Sequence, residues 1–277
     1  MRTKRFFSSH GLFLACACIL AMGVQAEEID AFRGMQGKID IAGGTAHIPV
    51  MTQAAKRIMQ MNPAIRITIA AGGSGVGVQK VGEGLVDIGN TGRALSNEEV
   101  SRYGLKSYAF AIDGVAVVVN PKNPVNGLTS TQIQAIFSGK ISNWKDVGGS
   151  DAAIHLFTRD EASGTREVFW EKLLQKGTIA DGANIVASNG AMKSALASDP
   201  GAIGYVSIGH IDATVKAPAF DGTEPTQENA RSGKYPIVRQ LYMNTKGEAQ
   251  GLTAFFIRYI LGPDGKQMTA SAGYLPL

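Results

Sequence analysis

Cysteine is nearly absent. The 277-residue chain has two, Cys16 and Cys18, both near its start. That excludes a disulfide scaffold, and beyond residue 18 it excludes a thiol nucleophile. Histidine is scarce as well: of four, His47, His155 and His210 lie outside the first stretch, in no spacing that suits a metal. The two tryptophans, Trp144 and Trp170, read as core or loop anchors, and stacking platforms for bases are not indicated. Charged residues make up 18% of the chain and apolar ones 44%, which excludes disorder as the main state. No heptad runs on and the 34 glycines have no fixed period, so coiled-coil and collagen readings fail. Two catalytic motifs fail on inspection. Gly73 to Lys80 is rich in glycine but lacks the Gly-Lys-Ser/Thr ending of a nucleotide-binding loop. A nucleophile elbow at Ser163 needs glycine two residues earlier, where Glu161 stands.

The first 26 residues read as a signal peptide. Arg2, Lys4 and Arg5 form a basic start, Gly11 to Val24 is an apolar run, and Val24-Gln25-Ala26 offers a cleavage site ahead of Glu27 and Glu28. That apolar run is shorter than the ~20 residues of a membrane span. A lipoprotein is the rival reading, since Leu14-Ala15-Cys16 loosely matches a lipobox. Phe13 and the continued apolar run beyond Cys16 favour the soluble exported form. Cleavage removes three basic residues and no acidic one, so 27 basic against 23 acidic become 24 against 23. Net charge then gives no support to a nucleic-acid partner.

The remainder alternates strand and helix patterns. Residues 38–42 and 65–69 alternate like strands, with Met51, Ala54, Ala55, Ile58 and Met59 at helical spacing between them and Asn62-Pro63 as the stop. A second helix runs from Gly72 to about Val81, and a third strand spans Leu85–Gly89. This βαβαβ order predicts parallel strands. Ala109–Asn120 reads as a buried central strand, Thr129 with Gln132 as a capping box, and 154–158, 202–207 and 235–243 as further strands. Helices are expected at Ser163 onward, around 192–196, and over 255–260, ended by Gly262-Pro263. Two α/β halves joined by strands near 112–118 and 205–211 suggest a hinge, and open α/β sheets bind ligands beyond strand carboxyl ends.

Four strand-to-helix junctions share one composition: Gly43-Gly44-Thr45-Ala46, Gly73-Ser74-Gly75, Gly89-Asn90-Thr91-Gly92-Arg93 and Ser163-Gly164-Thr165-Arg166. Free amides at a helix start and the helix dipole attract an anion, and serine or threonine adds an O–H donor. One such loop is explained by helix capping. Four of them, with Arg93 and Arg166 inside and Arg159 upstream of the last, point to an anion site. His47, beside the first loop, reads as a packing or surface histidine more than a site residue.

As a set, these motifs resemble the substrate-binding proteins of phosphate-specific ABC transporters. The resemblance rests on Asp40 to Thr45, Gly73 to Gly77, Asp87-Ile88-Gly89 leading to Arg93, Ile112 to Asn120, Ile136 to Trp144, Arg159 with Ser163 to Arg166, and Gly201 to Val206. It implies an α/β, two-lobed periplasmic-binding-protein fold of type II, with mixed sheets flanked by helices and hinge strands between the lobes. Lobe 1 would comprise 27–115 plus 212–277, and lobe 2 116–211. It further implies a periplasmic monomer without cofactor, metal or catalysis, which captures inorganic phosphate between the lobes and delivers it to a permease in the inner membrane. Carried over by position, Thr45 and the Ala46 amide, Ser74, Arg159, Ser163, Gly164 and Thr165 would bind phosphate, with Arg93 in the third loop. Two departures stand out. Gly44 and Ala46 replace hydroxyl residues in the first loop, and the third reads Thr91-Gly92-Arg93 where the family often has Ser-Ser-Arg or an aspartate.

Selectivity calls for a proton acceptor, because hydrogen phosphate carries a proton and sulfate carries none. Asp113, at the Asp-Gly break of the apolar strand, is the candidate; a turn or cap role is the equal alternative. Three other functions remain in view: a receptor of the same fold for sulfate, molybdate or a phosphonate; an exported phosphate-ester hydrolase, for which no nucleophile or metal set is found; and a surface adhesion or signalling role.

Overall fold

The computed structural model describes residues 27–277. The expected signal peptide, and the rival lipid site at Cys16, lie outside them.

Eleven strands form among these residues: β1 Gly37–Gly43, β2 Ile65–Ala71, β3 Ile88–Thr91, β4 Leu105–Val119, β5 Gly127–Leu128, β6 His155–Arg159, β7 Asn184–Val186, β8 Ala202–Ser207, β9 Ala219–Phe220, β10 Val238–Lys246 and β11 Leu275–Pro276. Nine of them join one continuous sheet in the order β2-β1-β3-β10-β4-β8-β6-β7, with β11 added beside β4. β1 pairs in parallel with both β2 and β3, as the βαβαβ order requires. The long β4 explains how one sheet serves two halves. Its residues 105–114 pair antiparallel with β10, and 115–119 pair antiparallel with β8. A run without charge over Gly114–Val119 tolerates burial on both faces, and Val115, Ala116, Val118 and Val119 are fully buried.

The apolar cores separate at the same point of β4. One cluster draws on Phe32 to Ala111 and returns at Leu241 to Tyr274. A second starts at Val115 and runs to Ile237, and a third gathers Val118, Met192, Leu196 and Val206 behind it. Separate apolar clusters on either side of that point of one sheet are what a two-lobed α/β protein needs. The second crossing differs from the expected one: Val215, Phe220, Tyr235 and Ile237 all pack with the second and third clusters. The chain therefore returns to the first core along β10, between Ile237 and Leu241, and not near 205–211. The pattern misled because β8 is the more apolar of the two strands and looks like the crossing, whereas the pairing of β8 and β10 to different halves of β4 decides it.

Local chemistry sets the element ends. Ile48–Met61 forms the first long helix, with Pro49 in its first turn, where a missing N–H costs nothing. Thr129 and Gln132 form the expected capping box, each side chain bonded to the other's backbone. Ser96 and Glu99 form a second one, starting the unexpected helix Asn97–Tyr103. Pro263 ends Gly251–Leu261 and opens a further helix, Pro263–Ser271. β3 starts at Ile88, later than expected, after the exposed Leu85.

Candidate functional site

Three of the four glycine-hydroxyl loops meet in one pocket between the two cores, and the other supplies Gly92. It is lined by Gly44, Thr45, Ala46 and His47 after β1; Gly73 and Ser74 after β2; Gly92 after β3; Arg159 at the end of β6, with Ser163, Gly164 and Thr165; and Arg239 on β10. The empty volume is small, about 190 Å³. Thr45, Ser74, Arg159, Ser163, Thr165 and Arg239 are all buried.

Each hydroxyl is oriented by a donor. Ser74 Oγ accepts from the Gly92 amide at 3.0 Å, and Ser163 Oγ accepts from the Arg166 amide at 3.2 Å as it caps Gly164–Val168. Thr45 Oγ1 accepts from the Asn189 amide at 3.3 Å and from Asn189 Nδ2 at 3.0 Å. Thr165 Oγ1 accepts from Arg239 Nη2 at 3.0 Å. Each oxygen accepts at least one bond from the protein, and its O–H can turn toward the pocket. Arg159 is only 2% exposed, and its Nη2 donates to the Ala187 carbonyl at 2.9 Å. Its Nε and Nη1 are buried with no partner. Burial pushes its pKa down, the sign of a cation lacking compensation. The arrangement is a set of converging donors around positive charge, suited to a small oxyanion.

The loops also hold the halves together. The Gly75 amide donates to the Ala162 carbonyl at 3.0 Å, and Asn189 reaches Thr45 from the other half. A Cβ on Gly164 would lie 2.2 Å from Ser74 Oγ, so any side chain there would hold the two loops apart.

Two expected residues are placed elsewhere. Asp113 does not line the pocket. One oxygen takes Arg239 Nε and Nη2 at 2.9 and 2.8 Å, and the other takes the Ser207 hydroxyl at 2.7 Å. It lies behind Arg239 because the alternation of β4 aims residue 113 at its antiparallel partner, and Arg239 stands directly opposite. Arg93 is also outside the lining. It bonds Glu99 with two nitrogens, at 2.7 and 2.8 Å, and Glu167 of the other half through Nε at 2.8 Å. Arg239 was missed. It lies 80 residues from Arg159 in an ordinary-looking strand, and no local motif marks it.

Two histidines stand at the site, and His47, read from the sequence as a packing or surface residue, is one of its lining residues. His47 is fully buried, with Nδ1 3.1 Å from the Gly44 carbonyl and Nε2 3.1 Å from that of Tyr242. His210 Nε2 lies 3.1 Å from the Thr45 carbonyl. Burial and nearby Arg239 push His47 down to about 3, and burial pushes His210 down to about 4. In the unfolded chain both return to about 6.5, so below that pH the unfolded state binds more protons. Stability present above pH 6.5 is therefore lost as pH falls toward those folded values. At pH 5 the loss is about 2 kcal/mol per histidine. Urea midpoints without phosphate should fall from pH 7 to pH 5, and equal midpoints would contradict the placement of both rings.

Two α/β halves sharing one sheet, with an anion-suited pocket between them, define a two-lobed binding protein of type II. The PBP superfamily domain matches residues 33–264, and the chain belongs to that superfamily. Among relatives, the phosphate-binding protein PstS of Bacillus subtilis is 36% identical over 96% of this chain and 90% of its own. PstS of Pseudomonas aeruginosa is 28% identical over 95% of this chain and 90% of its own. A phosphate ABC transporter substrate-binding protein of Clostridium perfringens, solved with bound phosphate, superimposes with a TM-score of 0.81 at 33% identity, over 87% of this chain and all of that one. Among the described residues no helix is long and apolar enough to cross a membrane, and no cluster of His, Asp and Glu could hold a metal ion.

Proposed function

We propose that this chain is an exported substrate-binding protein that captures inorganic phosphate between its lobes and delivers it to an ABC permease in the inner membrane. The observation that supports this most is Arg159: a buried guanidinium with two unpartnered nitrogens in a pocket lined by four hydroxyls. The names of the relatives give the anion. In this reading Thr45, Ala46, Ser74, Arg159, Ser163, Gly164, Thr165 and Arg239 bind phosphate. Arg93 ties the lobes together through Glu167, and Asp113 holds Arg239. The lobes are 27–113 with 239–277, and 114–238. In this reading the protein works as a periplasmic monomer without cofactor, metal or catalysis, and the pocket's converging donors serve to hold an anion.

Charge-assisted hydrogen bonds contribute roughly 1.5–3 kcal/mol each, and several suffice for the ~8 kcal/mol of micromolar binding after desolvation and closure are met. The test is calorimetric titration of the purified chain with phosphate, alongside thermal unfolding. One phosphate per chain should bind. At a thousandfold excess over Kd the ligand should add about 4 kcal/mol of stability. No heat and no shift at millimolar phosphate would overturn the reading.

A further inference from the structure

Thr45 is held by the opposite lobe. Its Oγ1 accepts two bonds from Asn189, one from the backbone amide at 3.3 Å and one from Nδ2 at 3.0 Å. A hydroxyl has two lone pairs and one proton, so with both pairs taken Thr45 has only its O–H to offer. The other pocket hydroxyls differ. Among the described residues, Ser74 accepts one bond from Gly92 and Ser163 one from Arg166, each within its own lobe, and Thr165 accepts one from Arg239.

Asn189 is fully buried, yet it does not line the pocket. Asparagine at a helix start ordinarily serves as its cap. Here Ser188 caps the helix Asn189–Ser198, its Oγ accepting from the Ala191 amide at 2.9 Å, so the helix does not need the Asn189 side chain. The Ser207 amide donates to Asn189 Oδ1 at 3.2 Å, which turns Nδ2 toward Thr45. Two residues earlier, the Ala187 carbonyl accepts from Arg159. One short segment after β7 thus grips Arg159 of its own lobe and Thr45 of the other.

We propose that Asn189 is a positioning residue for anion capture: as the lobes close it takes both lone pairs of Thr45 and commits that hydroxyl to donate to the bound anion, so that closure and donor orientation become one event. The proposal rests on the phosphate-capture reading and adds to it a residue that acts on the ligand only through Thr45. Two-lobed binding proteins close by hinge motion around their ligands. With the lobes apart, Asn189 and Thr45 are separated and the Thr45 hydroxyl rotates freely. The contact is absent when phosphate arrives and present when it leaves, so its loss falls on dissociation and spares association.

The experiment is stopped-flow exchange of bound phosphate from the full mature chain, in the parent, Asn189→Ala, Thr45→Val and the double variant. Asn189→Ala should raise koff about tenfold, the size of one hydrogen bond, and leave kon within about threefold of the parent. On the Thr45→Val background the same substitution should change koff by about twofold or less, because the oxygen it acts through is gone. An asparagine that only supports the fold would act alike in both backgrounds. Should Asn189→Ala not fold, amide hydrogen exchange of the parent decides: the Asn189 amide, whose acceptor lies in the other lobe, should exchange about tenfold or more slower with phosphate than without it. Equal effects on koff in the two backgrounds, or equal exchange of that amide with and without phosphate, would overturn this proposal and leave phosphate capture standing. A parent that binds no phosphate would instead overturn phosphate capture.

Discussion

Arg159→Met should weaken phosphate binding by about a hundredfold to ten-thousandfold, from the loss of two charge-assisted bonds of roughly 1.5–3 kcal/mol each. The two are those offered by Nε and Nη1, which have no protein partner. Stability without phosphate should behave differently. The parent buries a cation almost completely and satisfies it in part, through the Ala187 carbonyl. Methionine removes the uncompensated charge and fills similar volume, but leaves that carbonyl bare. The two effects oppose, so unfolding without phosphate should stay within about 2 kcal/mol of the parent. Arg93→Ala is the control. Arg93 is bonded by Glu99 and Glu167, so its loss removes a partly exposed tie between lobes and should cost tenfold or less in affinity. Isothermal titration of both variants checks the contrast. Similar small losses in the two would place the anion away from Arg159.

The contrast between these two arginines marks what was legible in the sequence. Local signals read well. Gly-Gly-Thr, Gly-Ser-Gly and Ser-Gly-Thr each sit where a strand gives way to a helix, and chain order alone places such junctions on one end of a parallel sheet. The three loops do converge, with Thr45, Ser74 and Thr165 in one pocket. Arg159 was legible because it lies four residues from the Ser163 loop on the same strand end. Arg93 shares that kind of loop but faces Glu99, which also serves the capping box at Ser96, and no composition rule says which way a loop arginine turns. Arg239 and Asp113 were illegible for a stronger reason. Their meeting depends on β10 returning antiparallel beside β4, with residue 239 opposite 113. That register is fixed by pairing across more than a hundred residues, and it also determines where the chain crosses back to the first core.

Asp113→Asn tests that register directly. The pair is deeply buried, with side chains 0% exposed for Asp113 and 4% for Arg239. Breaking such a pair from one side costs about 3–5 kcal/mol, because the remaining charge stays in the interior without a counter-ion. The loss should appear in urea unfolding without phosphate. Adding phosphate should recover more stability in the variant than in the parent, since the anion becomes the counter-charge that Arg239 has lost. Arg239→Met on the Asp113→Asn background should restore part of the loss, as expected of two groups coupled by contact. The selectivity readout separates this role from the one the sequence suggested. An acceptor for the ligand's proton, once converted to an amide, would narrow the preference for phosphate over sulfate. An anchor behind Arg239 lowers stability and leaves that ratio as it was. A stable Asp113→Asn protein with an altered ratio would therefore put Asp113 in contact with the anion, and with it reverse the assignment of Arg239 as the group that faces the pocket.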